Sequence, residues 1–108
     1  MLVNFKQGVL INGVKPEIVL AMMVIKEVIF DRGAQPCTFT SVVDGLHGTG
    51  SEHYIGHAVD IRVNHMTDIM RQSVTQTIRE RLTIEYQVID EQDHIHVEFD
   101  PQKGINLK

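Results

Sequence analysis

From Ile18 to Phe30 the chain is apolar almost all round, broken mainly by Lys26-Glu27. A helix with so little polar face is expected to be central and buried, with Met22 and Met23 among its core residues. Pro16 suits its first turn, where the missing N–H costs nothing, and Glu17 suits the positive end of the helix dipole. Asp31-Arg32-Gly33 ends it, with Gly33 as the C-terminal cap. A second helix is predicted from Thr67, as N-cap, to Leu82. Met70, Val74, Ile78 and Leu82 recur there every four residues with Ile69 beside them, and polar residues from Asp68 to Glu80 cover the other sides.

Elsewhere the pattern shortens to alternation. Ala58–Val63 places Val59, Ile61 and Val63 on one face and Asp60 and Arg62 on the other. In His94–Phe99 the apolar set is Ile95, Val97 and Phe99, and the polar set is His94, His96 and Glu98. Ile84, Tyr86 and Val88 alternate with Glu85 and Gln87, and Cys37–Val43 is β-prone, so both are predicted strands. A short strand is expected at Val9–Ile11, closed by the Asn12-Gly13 turn signal. Asp44–Gly50 is a glycine-rich loop without a phosphate-binding pattern. Asp90–Asp93 is a tight acidic connection, and Pro101 stops the last strand ahead of a polar tail. The prediction is one α+β domain over residues 1–108: two main helices on one face of a small, largely antiparallel sheet, with polar chemistry on the other.

Composition narrows the partners. A chain of 108 residues suits one domain, and a net charge of −4 with a pI near 5.8 points to neither nucleic acid nor an anionic membrane. The single Cys37 precludes an internal disulfide and favours cytoplasmic synthesis. The first residues carry no evident signal peptide, and the longest apolar run, Ile18–Ile25, is too short to span a bilayer. Oligomeric state is not legible.

The candidate chemistry lies in two stretches, Ser51–Asp60 (SEHYIGHAVD) and Asp93–Phe99 (DHIHVEF). Imidazole and carboxylate are ligands for a divalent metal, most often zinc. Gly56 allows a turn between His53 and Asp60. If the two strands are neighbours, His94 or His96 meets His53 and Asp60 at one point on the polar face. Three such ligands with a fourth position open form the pattern of a catalytic zinc site.

Ser51, His53, Gly56, Ala58 and Asp60 form Ser-x-His-x-x-Gly-x-Ala-x-Asp. This resembles the signature of the zinc D-Ala-D-Ala carboxypeptidase and phage L-alanyl-D-glutamate endolysin family, which shares its metal site with the hedgehog signalling domain. The resemblance spans roughly residues 39–99. It implies Zn2+ held by His53, Asp60 and a later histidine that stands three residues after an acidic general base. Asp93-His94-Ile95-His96 matches, with His96 as ligand and Asp93 as base. His94 is then assigned to stabilising the oxyanion. A second register, with Glu91 as base and His94 as ligand, has the same spacing. Glu98 is either a carboxylate that orients a ligand imidazole or a solvated strand residue.

The implied activity is hydrolysis of an amide bond in the peptides of bacterial peptidoglycan. The expected setting is a phage or prophage lysin, made in the cytoplasm and acting on the wall after release. The competing class is a metal-binding or structural module of hedgehog-like fold without catalysis. One departure bears on specificity. Many relatives carry Ser-x-x-Arg before the metal motif, with the arginine on the substrate, whereas Ser41-Val42-Val43-Asp44 occupies that place here. Asp44 cannot bind a substrate carboxylate, which disfavours a carboxypeptidase and leaves an altered or inactive enzyme open. Other residues read more simply: His47, His57 and His65 as loop or surface positions, Ser51 as a turn residue, Cys37 as a small buried side chain. Arg62 has two readings, a contact for a substrate carboxylate or a solvent-facing strand residue, the second being the simpler.

Overall fold

The computed structural model describes residues 3–42 and 57–100. Ser51, His53 and Gly56 of the candidate motif lie outside them, as do Val43, Asp44, His47 and the polar tail from Pro101. The elements run β1 (Val3–Phe5), α1 (Pro16–Asp31), β2 (Cys37–Ser41), β3 (Ala58–Arg62), α2 (Asp68–Arg81), β4 (Tyr86–Asp90) and β5 (His94–Phe99). The chain is a small α+β domain with a five-stranded mixed sheet in the order β1-β2-β3-β5-β4. β1 pairs with β2 in parallel, and the other three pairings are antiparallel. Among the described residues no helix is long and apolar enough to cross a membrane.

α1 forms because Ile18, Ala21, Ile25, Val28 and Ile29 repeat at helical spacing and bury one stripe. Pro16 occupies its first turn as expected. The helix ends at Asp31 with Arg32 as its cap, and Gly33 just beyond has a left-handed φ of 66°. The Gly33 N–H donates to Phe30 O at 3.1 Å and the Ala34 N–H to Ile29 O at 2.9 Å, which satisfies two terminal carbonyls. α2 starts at Thr67, whose side chain accepts the Met70 N–H at 3.1 Å. The Arg79 guanidinium donates to Val88 O at 2.8 Å and fastens α2 to β4.

Both helices pack on one face of the sheet. Their buried stripes meet Phe39, Val59, Ile61, Val88, Ile95 and Val97, which are the inward positions of β2, β3, β4 and β5. Tyr86 adds a tie across the layers, its hydroxyl donating to Glu17 O at 2.7 Å. Phe99 packs against the edge of this core, as the alternation in β5 requires. Cys37 is fully buried, and burial pushes its thiol up to about 11, out of reach of ligand chemistry at neutral pH.

Several expectations are corrected. No strand forms at Val9–Ile11; the N-terminal strand is β1, six residues earlier, and β2 recruits it in parallel. α1 is not buried all round. Val19, Leu20 and Met23 are 44%, 55% and 55% exposed, so only Met22 of the methionine pair packs against the core. A domain of two layers covers a helix on one side only, and Met23 lies about 160° round the helix from Ile25. Ile69 is exposed for the same reason, since it stands about 140° from Val74. β4 starts at Tyr86, leaving Ile84 exposed. β2 and β3 end at Ser41 and Arg62, with the buried Val42 and Val63 just beyond them.

Candidate metal site

The open face of the sheet carries the chemistry because the strands alternate. β3 and β5 are neighbours, in a register that sets Ala58 against Glu98, Asp60 against His96 and Arg62 against His94. The residues between, Val59, Ile61, Ile95 and Val97, are fully buried on the helix side. Four polar side chains thus stand in two adjacent rows across two central strands. Asp60 is turned away from the apolar core, yet its side chain is only 12% exposed.

His96 lies at the centre of the cluster. Its Nδ1 is 2.9 Å from Asp60 Oδ1 and its Nε2 is 2.8 Å from Glu98 Oε1. Burial pulls the imidazole towards the neutral form, but hydrogen bonds and charge from Asp60 and Glu98 outweigh it. The net effect raises the pKa from 6.5 to about 8. The shift favours the protonated ring, with each nitrogen within hydrogen-bond distance of a carboxylate.

His94 sits one row along. Its Nε2 is 3.2 Å from Glu91 Oε2 and 3.9 Å from Asp60 Oδ2, and its Nδ1 is 2.7 Å from Asp93 Oδ1. The hydrogen bond from His94 holds the exposed Asp93 carboxyl below the usual carboxylate range. The hairpin itself creates this crowding. The Glu91 N–H donates to His94 O at 2.9 Å, Asp90 Oδ1 accepts the Gln92 N–H at 2.9 Å, and Gln92 adopts a left-handed φ of 76°. The turn therefore presents both acids of the two competing registers to the same histidine.

Asp60 and His96 supply a carboxylate and an imidazole, two of the donor types that zinc takes. Two ligands each about 2.0–2.1 Å from a tetrahedral zinc lie roughly 3.3 Å apart. Asp60 Oδ1 and His96 Nδ1, at 2.9 Å, need to separate by a few tenths of an ångström to meet that spacing. Glu98 on the far nitrogen then has the place of the carboxylate that fixes a ligand imidazole. Among the described residues no group of three His, Cys, Asp or Glu side chains is arranged to hold a metal. His53, the third ligand expected from the sequence, is outside that set.

His57 and His65 stand apart from the cluster. The His57 ring makes an edge contact with Phe99, and His65 Nε2 is 2.8 Å from Ala34 O, bracing the approach to α2 against the end of α1. Arg62 lines a cavity of about 280 Å3 with Lys6, Thr40, Asn64, Asp93 and His94. Lys6 and Thr40 carry no motif, and only the strand pairing, a long-range feature, brings them beside Arg62. No family model, curated protein or solved structure matches the chain.

Proposed function

We propose that the protein is a zinc-dependent peptidase that hydrolyses an amide bond in the peptides of bacterial peptidoglycan. The observation that carries this reading is the buried pairing of Asp60 with His96 at 2.9 Å, backed by Glu98. Two of three proposed ligands stand together on rigid central strands. His53 completes the set through the Ser-x-His-x-x-Gly-x-Ala-x-Asp motif. The hedgehog/DD-peptidase-like fold belongs to the same proposal, as does the setting of a phage or prophage lysin acting on the wall after release.

Zinc, when bound, supplies a Lewis acid that makes water acidic and polarises the scissile carbonyl. Asp93 takes the proton of the attacking water and delivers it to the leaving amine. His94, held through Nδ1 by Asp93, points Nε2 towards Asp60 and donates to the developing oxyanion. Glu98 keeps the His96 ring aligned. One observation favours a second assignment of the base: Glu91 also reaches His94, at 3.2 Å, as the Glu91/His94 register requires.

The test is cleavage of purified peptidoglycan peptides by the zinc-loaded protein, with loss of turnover on chelation and recovery on adding zinc. A protein that binds zinc and cleaves none of these peptides would be a metal-binding module instead.

A further inference from the structure

We propose that Lys6 and Arg62 form a binding site for a carboxylate group of the peptide, one row along the open face from Asp60 and His96. For its choice of ligand the proposal rests on the peptidase reading; the site itself is argued from geometry.

Four adjacent strands contribute to a single row. Arg62 on β3 is the register partner of His94 on β5. Phe5 of β1 pairs with Phe39 of β2; Lys6 follows β1 directly, and Thr40 stands in β2 where its register with β3 shifts between Phe39 and Ser41. The Lys6 N–H continues the ladder by donating to Phe39 O at 2.9 Å. Lys6, Thr40, Arg62 and His94 thus border one cavity of about 280 Å3, with Asn64 and Asp93 at its rim.

The chemistry of that cavity is unbalanced. Among the described residues neither the Lys6 ammonium nor the Arg62 guanidinium makes an ion pair or side-chain hydrogen bond. The one acid at the rim, Asp93, is already engaged by His94 at 2.7 Å. Elsewhere acids serve as partners: Arg71 holds both Asp68 and Asp90, and Arg81 holds Asp31. Two unengaged cations on one polar cavity, in a chain of net charge −4, are a site for an anion. The planar guanidinium matches a carboxylate with two parallel N–H donors, and Lys6 adds a point charge. The Thr40 hydroxyl and Asn64 amide supply neutral donors.

Distance ties this anion to the reaction. Successive residues on one face of a strand are about 6.6–6.8 Å apart. A carboxylate in this row therefore lies within about two residues of a bond held at Asp60 and His96. It is either a terminal carboxylate or an acidic side chain.

The experiment titrates the protein, metal-free and zinc-loaded, with two probe pairs followed by amide resonances. One pair is N-acetyl-Lys-D-Ala-D-Ala and its C-terminal carboxamide. The other is N-acetyl-L-Ala-D-Glu carboxamide and its D-Gln counterpart. In at least one pair the acid should bind more tightly by on the order of tenfold, the worth of a charged hydrogen bond, and the favoured pair identifies the source of the carboxylate. Arg62→Gln with Lys6→Gln should erase that preference, and Arg62→Lys should keep part of it at unchanged melting temperature. Equal binding of acid and neutral form in both pairs would overturn the site, as would a preference that survives the double substitution. Cleavage without acid preference would sink this site and leave the peptidase standing. Acid preference without cleavage of any wall peptide would do the reverse.

Discussion

The metal-free protein should lose stability as the pH rises from about 6 to about 8.5, and His96→Gln should remove most of that loss. The His96 ring is 15% exposed and lies between Asp60 and Glu98. Burial alone lowers its pKa, and the two carboxylates more than reverse this, taking it from 6.5 to about 8. The folded state therefore holds the proton more tightly than the unfolded chain. Stabilisation from this group is complete below about pH 6.5 and is lost as the pH rises through 8. A difference of about 1.5 units corresponds to about 2 kcal/mol, or roughly 10 °C in Tm for a domain of this size. Thermal unfolding with a chelator present, at several pH values, measures it. Zinc bound as proposed should reverse the sign, because a ligand imidazole must give up its proton, so zinc-dependent stabilisation should grow over the same interval. If metal-free Tm rises with pH, or the His96→Gln protein keeps the full decline, the charged network is misassigned.

Three further expectations follow from the same geometry. His53→Ala and Asp60→Asn should each lose most of the approximately one zinc per chain measured by elemental analysis, whereas His65→Ala should retain it. Asp93→Asn should keep zinc while losing on the order of 10²–10⁴ in turnover, with Glu91→Gln milder; the opposite ranking in steady-state kinetics would make Glu91 the base and move His94 onto the metal. Ile95→Ala removes a fully buried side chain opposite Ile61 and should cost about 2–5 kcal/mol in chemical denaturation, while Ile69→Ala, at an exposed position, should stay within about 0.5 kcal/mol.

Local signals in the sequence carried the elements whose causes are local. Pro16, Gly33 and Thr67 mark helix ends through backbone chemistry, and the structure uses all three in that way. Alternation in β3 and β5 placed Asp60 and His96 on a common face, and the pairing of the strands then made them register partners. Long-range geometry was not legible. β1 is three residues long and exists because β2 offers an edge, so its own sequence has little to announce it. The exposure of Val19, Leu20 and Met23 on α1 does not follow from the sequence, because hydrophobicity records what a side chain tolerates, and only the layer count says which side is covered. The contact of Glu98 with His96 Nε2, at 2.8 Å, depends on side-chain placement that alternation alone does not give. Lys6 was invisible for a similar reason: it reaches the open face only through the parallel pairing of β1 with β2.

The alternation that shapes the core also places the site. In β3 and β5 the inward residues Val59, Ile61, Ile95 and Val97 are fully buried and Phe99 packs at the edge of the core, while Ala58, Asp60, Arg62, His94, His96 and Glu98 face the other way. A shift of one residue in either strand would turn its charged side chains into the helices and its aliphatic ones into water. Several kcal/mol of apolar burial therefore oppose any register other than the one that sets Asp60 against His96. Hydrogen bonds within the site need only adjust side chains by tenths of an ångström, because the hydrophobic face has already chosen the neighbours. The proposed site residues differ in the same way by origin. Asp60 and His96 are set by the sheet, whereas the choice between Asp93 and Glu91 depends on the three-residue hairpin loop 91–93, where both acids lie within 3.2 Å of His94. The register of the proposed base is thus the assignment that strand packing leaves open and that the Asp93→Asn and Glu91→Gln pair decides.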